Sequence, residues 1–172
     1  HTTFIQAAAT TGRLASTDPN MQNVPVRTEL GREIRGCFEA APGNVLISAD
    51  YSQVELRVLA HVAGEEVLEQ IFIRGEDVHT ATASAVFEKP ADELTPMDRS
   101  KAKMINYGIV YGLSDYGLAD RLNIDRAEAK LFIDTYLERF SKVAAFMSST
   151  IEQAKEEGYV TTLYGRRRNI PE

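Results

Sequence analysis

The sequence has few of the features that would place a protein outside the ordinary globular class. It contains one cysteine, Cys37, which excludes an internal disulfide. A cytosolic protein with Cys37 as a small buried apolar residue is therefore expected. No apolar run approaches the length of about 18 residues that a membrane span needs, and no signal peptide is visible. Internal repeats and low-complexity tracts are also absent.

Positive charge is in deficit, since 19 Lys and Arg residues face 25 Asp and Glu residues and the net charge is −6. This balance argues against indiscriminate binding to nucleic acid, but it leaves room for a local basic groove. The composition is 44% hydrophobic and 26% charged, as in proteins that build a core. The start at His1 without a methionine and the end on Asn-Ile-Pro-Glu favour a segment of a longer chain.

Turn signals break up the first third of the chain, and helical periodicity dominates the rest. Segments 34–40 and 44–50 flank Ala-Pro-Gly-Asn and predict two antiparallel strands. Six helical patterns follow, at 52–64, 65–75, 77–87, 94–112, 124–140 and 142–158. Residues 159–172 predict a terminal hairpin. The predicted fold is α+β, with a small antiparallel sheet and a large helical block.

One predicted helix carries two cations and two aromatic residues at every fourth position: Arg99, Lys103, Tyr107 and Tyr111. Thr95 suits its N-cap, so both cations lie within its first two turns. Cations are unfavourable at the positive end of a helix dipole unless an anion binds there, and phosphate is the natural anion. The tyrosines would offer ring surfaces further along the helix. The alternative is a solvated charged face with two half-buried tyrosines.

A second candidate site begins where a predicted apolar strand ends at Asp50. A carboxylate there, beside the main-chain carbonyl of Tyr51, makes half of a site for a hard cation such as Mg²⁺. The alternative is that Asp50 or Ser52 merely starts the next helix. Gln53 and Glu55 follow on that helix, and either could be ordinary surface.

The two stretches together resemble the signatures of a known family. Residues 50–57 (DYSQVELR) and 99–112 (RSKAKMINYGIVYG) are similar to the first and second signatures of family A DNA polymerases, the polymerase I type. Segments 11–35, 77–87 and 158–172 also fit that family, in order and at about the expected spacing. The resemblance therefore extends over the whole chain.

The resemblance implies a division of the chain and a set of partners. Residues 1–60 would form part of the palm with its first metal carboxylate, residues 61–158 the mainly helical fingers, and residues 159–172 a hairpin leading back toward the palm. The implied activity is DNA-directed DNA synthesis by a cytoplasmic, nucleoid-associated bacterial or phage-type enzyme. Its partners would be primer-template DNA, dNTP and the remainder of the parent chain, with no membrane.

The resemblance also assigns residues to the phosphate side of the site. Asp50 would bind two Mg²⁺ ions, and the carbonyl of Tyr51 would help to bind one. Arg99 and Lys103 would hold the triphosphate, with Lys103 placed to protonate the leaving pyrophosphate. His79 would touch the phosphate side, although a single helical histidine is more often structural.

Other residues are implied on the sugar, base and template side. Tyr107 would stack on the nucleotide, and Tyr111 would stack at the template position. Glu55 would exclude a 2′-hydroxyl, and Gln53 would lie near the forming base pair. Arg13 would reach the minor groove of the primer end, where acceptors are common to all base pairs.

One departure from the family pattern concerns its third signature, a His-Asp-Glu run that supplies the second metal carboxylate. The three histidines are His1, His61 and His79, and none precedes Asp-Glu. The expected two-ion site is therefore incomplete in this segment, and the isolated chain is expected to be inactive. Two alternatives stay open: a non-catalytic nucleotide- or DNA-binding module, and a relative of single-subunit RNA polymerases, against which Glu55 speaks. The role of Arg166, Arg167 and Arg168 is also left open.

Overall fold

The computed structural model describes residues 1–25 and 28–170 of the chain. It divides into two compact units, His1–Asp50 and Tyr51–Glu172. Two small antiparallel sheets and a large helical part make the fold α+β, as the sequence predicts. The assignment of the chain to palm and fingers stays a prediction. Among the helices within the described residues, none is long and apolar enough to cross a membrane.

The described residues of the first unit form three short elements. Strand β1 (Thr3–Ile5) pairs antiparallel with β2 (Ala15–Thr17), so that Phe4 lies opposite Ser16. Helix α1 (Glu29–Gly36) begins after Thr28, whose hydroxyl accepts a hydrogen bond of 3.1 Å from the Gly31 amide.

The predicted strand pair at 34–40 and 44–50 is wrong for the described structure. Residues 34–36 are the last turn of α1, and residues 37–50 carry no strand. The Thr28 cap favours a helix, and a strand also needs a neighbouring backbone to pair with, which the described residues do not supply. Cys37 is exposed rather than buried, because it follows α1 directly, and its Sγ lies 3.4 Å from the Glu33 carbonyl oxygen.

The second unit is mainly helical. Its helices are α2 (Val54–Ala63), α3 (Glu66–Ile73), α4 (Val78–Phe87), α5 (Pro96–Val110), α6 (Asp115–Leu122), α7 (Arg126–Arg139) and α8 (Ser141–Glu157). Six of them confirm the helical patterns in the sequence, whereas the short α6 was not predicted. Strands β3 (Tyr159–Thr161) and β4 (Arg167–Asn169) pair antiparallel and confirm the terminal hairpin.

These helices share one hydrophobic core. Its buried side chains come from α2 to α8 and include Leu56, Leu68, Val78, Ile105, Leu118, Phe132, Tyr136, Phe140 and Val143. Helix α5 buries Ala102, Ile105, Asn106 and Ile109 on one side, whereas Arg99 and Lys103 are exposed. The core thus fixes which side of α5 can meet a ligand.

A buried carboxylate joins two helix ends in this unit. Glu65, which is only 4% exposed, precedes α3 and accepts a hydrogen bond from the Val67 amide at 3.3 Å. Its other oxygen accepts one from the Lys142 amide, in the first turn of α8, at 3.0 Å. Both contacts lie at helix N-termini, where a negative charge is favourable.

Candidate functional site

The start of α5 is fixed by a capping box. The Thr95 hydroxyl accepts a hydrogen bond from the Asp98 amide at 3.1 Å, and the Asp98 carboxylate accepts one from the Thr95 amide at 2.9 Å. Hydrogen bonds from the Thr95 backbone and hydroxyl lower the pKa of Asp98. The predicted N-cap is therefore confirmed, and it fixes the residue at which α5 begins.

Arg99 is held by a residue that sequence reasoning missed. Its Nε and Nη2 atoms donate to the two carboxylate oxygens of Asp77, at 3.1 and 2.7 Å. Asp77 is also the N-cap of α4 and accepts from the amide and hydroxyl of Thr80, at 2.7 and 2.9 Å. Burial opposes its charge, but the hydrogen bonds from Arg99 and Thr80 outweigh burial and lower the pKa of Asp77 to about 2.

Lys103 lies one turn after Arg99, about 6 Å further along the axis, and its side chain is exposed. Both cations act on His79, an α4 residue that is only 3% exposed. Burial lowers the pKa of His79, Asp77 opposes that shift, and Arg99 and Lys103 reinforce it. His79 is therefore a neutral imidazole beside a positively charged surface.

A buried polar cluster joins α4 and α5 behind this surface. Nδ2 of Asn106 lies 3.2 Å from Nδ1 of His79 and donates to the Thr82 hydroxyl at 3.0 Å. Asn106 and Thr82 are both fully buried. The His79 ring lies 5.8 Å from the ring of Tyr107. His79 thus has the structural role that the sequence analysis gave as the alternative. Its contact with phosphate stays a prediction.

Tyr107 and Tyr111 lie at the C-terminal end of α5. Their rings are 6.3 Å apart and nearly parallel, with an interplanar angle of 15°. Helix α5 ends at Val110, so Tyr111 is its C-cap rather than a helical residue. The Tyr111 hydroxyl donates a hydrogen bond of 2.5 Å to the carboxylate of Glu55 on α2. The fold therefore brings together two predicted site residues that are 56 positions apart in sequence.

Helix α2 begins at an unusual backbone position. Its N-cap is Gln53, whose φ of 53° is left-handed, and its side chain makes no capping hydrogen bond. The alternative in which Asp50 or Ser52 caps this helix is therefore wrong. The Ser52 carbonyl instead accepts a hydrogen bond of 3.0 Å from Nε of Arg57. Gln53 is half-buried and precedes Glu55 by two positions.

The remaining predicted residues are less constrained. Asp50 and Arg13 are exposed residues of the first unit, and Tyr51 is an exposed residue of the second. Within residues 1–25 and 28–170, no group of three or more His, Cys, Asp or Glu side chains could hold a metal ion. A single carboxylate does not make a magnesium site, so these residues do not fit the two expected ions by themselves. In the terminal hairpin, the Arg167 guanidinium lies 3.8 Å from the centre of the Tyr159 ring.

Comparisons with known proteins identify the family of this chain. The family model described as DNA polymerase family A matches residues 1–172. DNA polymerase I of Bacillus subtilis (strain 168) is 54% identical over 173 residues, and the thermostable DNA polymerase I of Thermus aquaticus is 49% identical over 172 residues. These alignments cover the whole of this chain but 20% and 21% of the two relatives, so the chain spans about a fifth of their length.

A solved structure is similar in fold as well. The POL domain of Pol1 from M. smegmatis, in complex with DNA primer-template and dNTP, matches with a TM-score of 0.88 and 45% identity. The match covers 99% of this chain and 30% of that one. Because the family model and these relatives match the chain from end to end, it belongs to DNA polymerase family A.

Proposed function

We propose that these 172 residues supply the nucleotide-binding surface of a DNA-directed DNA polymerase, which transfers a nucleotide from dNTP to a primer 3′-hydroxyl. The observation that carries the proposal is the stripe on α5, defined by Arg99, Lys103 and Tyr107, with the Tyr111–Glu55 pair at its end. This surface offers cations for the phosphates of a nucleotide, an aromatic ring for its base and a carboxylate for its sugar.

The activity is proposed for the parent polymerase, meaning the longer protein that contains this segment. The chain covers about a fifth of the length of its polymerase I relatives. The M. smegmatis neighbour was solved with DNA primer-template and dNTP, which supports the same two partners here. Arg13 and Tyr111 are the residues proposed to contact that DNA, at the primer end and at the template.

The two cations of the stripe act on the triphosphate. Phosphoryl transfer depends mainly on positioning and on stabilising the charge that spreads over the phosphate oxygens. Arg99 is anchored at one edge by Asp77, and its other N–H groups can bind phosphate oxygens. Lys103 lies one turn away, where its ammonium group can protonate the leaving pyrophosphate. His79, neutral and buried behind them, would limit the approach of the phosphates.

The far end of the stripe acts on the base and the sugar. Tyr107 offers a half-buried ring against which a base can stack. The hydrogen bond from Tyr111 holds the Glu55 carboxylate in one place. A fixed carboxylate beside the sugar excludes a 2′-hydroxyl by contact, and Gln53 lies next to it at the start of α2.

Magnesium binding is proposed only in part from this segment. Asp50, with the carbonyl of Tyr51, would contribute oxygen ligands of the kind that Mg²⁺ prefers. The second carboxylate that two ions need would come from another part of the parent polymerase.

The test is single-turnover incorporation by the parent polymerase with Lys103→Ala and Arg99→Ala. Losing a charge-assisted contact that forms in the transition state costs about 10²- to 10³-fold in rate. Lys130→Ala is the matched control, since Lys130 is an exposed cation on α7 that pairs with Asp134. Rates within about threefold of wild type for both α5 variants would contradict the proposal.

A further inference from the structure

Asp77 connects the phosphate-binding end of α5 to the N-terminus of α4. Its two oxygens take Nε and Nη2 of Arg99 in a two-point contact, which restricts the guanidinium to one plane. Its Oδ1 also accepts from the amide and hydroxyl of Thr80. The carboxylate is therefore held in place by α4. Its two hydrogen bonds with Arg99 in turn restrict the position of the guanidinium.

This contact is accessible, which separates it from a purely structural ion pair. The side chains of Arg99 and Asp77 are 47% and 35% exposed. Exposed ion pairs contribute little to stability. The contact also leaves Nη1 and one hydrogen of Nη2 available to a second anion, because a guanidinium has more donors than two carboxylate contacts use.

We propose that Asp77 is the positioning residue for Arg99: it holds the guanidinium in the orientation in which its remaining N–H groups meet the triphosphate. The inference rests on the proposed function of the α5 stripe and adds a residue to it. Asp77 does not touch the phosphates. It acts through Arg99, by keeping the guanidinium in the orientation that the phosphates need in the chemical step.

The charge of Asp77 gives this role a distinctive kinetic signature. Its removal raises the net positive charge beside the triphosphate, so the affinity for dNTP in the ground state should not fall. The loss of orientation should instead appear in the chemical step, because misplacing a group that acts in the transition state slows the reaction. The expected result is a rate about tenfold lower with an unchanged or smaller dNTP dissociation constant.

The variants must keep α4 capped. Asp77→Ser and Asp77→Asn both retain a side chain that suits an N-cap, and both remove the negative charge. Asp77→Asn keeps one acceptor for Arg99, so it should fall between wild type and Asp77→Ser. The matched control is Asp125→Ser at the N-cap of α7, where Asp125 accepts from the Ala127 and Glu128 amides. That control should leave both kinetic constants unchanged.

The decisive experiment is a double-mutant cycle in the parent polymerase, with single-turnover rate and dNTP dissociation constant measured for Asp77→Ser, Arg99→Ala and the pair. If Asp77 acts through Arg99, Asp77→Ser slows the wild-type enzyme but changes nothing in the Arg99→Ala background. An equal slowing in both backgrounds would mean that Asp77 only caps α4, and the proposal would be overturned.

Other outcomes are equally informative. A faster rate for Asp77→Ser would show that the carboxylate competes with the triphosphate for Arg99, which also overturns the positioning role. A rate within twofold of wild type for both Asp77 variants would do the same. If Arg99→Ala itself leaves the rate unchanged, the proposed function of the stripe is contradicted. The role of Asp77 is then contradicted too, because it acts only through Arg99. Thermal melting of each variant, with Asp77→Asn as the milder change, confirms that the helices remain folded.

Discussion

The two units of the chain differ in how their side chains are held. In Tyr51–Glu172, seven described helices enclose one core, Arg99 pairs with Asp77 at the start of α4, and Tyr111 pairs with Glu55 on α2. In His1–Asp50 the described elements are short, and the apolar side chains that lead to Asp50 are exposed: Val45 by 78%, Leu46 by 64% and Ile47 by 85%. Arg99 and Glu55 are thus held by contacts within their own unit, whereas Asp50 follows a segment whose apolar side chains are exposed.

This difference separates two kinds of predicted site residue. Arg99 is oriented by donating to Asp77, and Glu55 by accepting from Tyr111, within the same unit. Asp50 follows an exposed apolar segment, and buried strands of that composition normally pack against a sheet or a helix on each face. Hence the contacts of Arg99 and Glu55 are already formed in this segment, while the placement of Asp50 depends on packing that the described residues of the first unit do not provide.

The largest expected effect is a contrast between core positions of the two units. Phe140 is 1% exposed and packs at the centre of the second unit, so Phe140→Ala should lower the free energy of unfolding by about 3–5 kcal/mol. Ile47 is largely exposed, so Ile47→Ala should change it by less than about 0.5 kcal/mol. Denaturant titration of the 172-residue chain, followed by circular dichroism, measures both. Similar losses in the free energy of unfolding for Phe140→Ala and Ile47→Ala would contradict the difference between the two units.

A second expected effect concerns substrate choice at the aromatic end of the stripe. A dideoxynucleotide leaves a gap where its 3′-hydroxyl would lie, and the Tyr107 hydroxyl can restore the missing hydrogen bond. Tyr107→Phe should therefore increase discrimination against dideoxynucleotides by about one to two orders of magnitude, since an unsatisfied buried polar group costs about 1–3 kcal/mol. The measurement is the ratio of incorporation efficiencies for dideoxy and deoxy substrates in the parent polymerase. An unchanged ratio would place the hydroxyl elsewhere.

The sequence predicted those parts of the site that depend on local chemistry. The start of α5 follows from Thr95, Pro96 and Asp98, which act within one turn of each other. The four-residue spacing of Arg99, Lys103 and Tyr107 then places them on one side of α5. Tyr111 falls outside the helix because α5 ends one residue before it, a boundary that periodicity alone does not fix.

Contacts between distant segments could not be predicted. Asp77 and Arg99 are 22 positions apart, and their pairing depends on how α4 packs on α5. The signal for Asp77 was its suitability as the N-cap of a helix that the sequence did predict. The strand predicted at 34–40 overlaps the last turn of α1, because short apolar segments do not distinguish a strand from a helix. The buried Asn106 was detectable only as a polar residue on the apolar side of α5.

A smaller effect compares the helix caps of the two units. Thr95→Ala removes the capping box of α5, a helix that packs into the core, and should lower the free energy of unfolding by about 1 kcal/mol. Thr28→Ala removes the equivalent cap of α1, whose Leu30 is 65% exposed. Because α1 can open without the core, its loss should leave the global transition unchanged and appear only as faster amide exchange in α1. Hydrogen exchange and denaturant titration together distinguish the two. Equal global losses would show that α1 unfolds with the rest.

The smallest expected effect tests whether His79 is held as a neutral group. Burial lowers its pKa, Asp77 on α4 opposes the shift, and Arg99 and Lys103 on α5 reinforce it. A folded-state pKa below the unfolded value near 6.5 means that the native state resists protonation. The stabilisation is therefore complete above about pH 6.5 and is lost as the pH falls toward the folded-state pKa.

His79→Gln removes this titration, so its free energy of unfolding should fall less steeply than that of wild type between about pH 7 and 5. Parallel slopes for His79→Gln and wild type would show that His79 is protonated as easily in the folded unit as in the unfolded chain. The electrostatic environment of His79 would then not distinguish the tightly held second unit from the loosely held first unit.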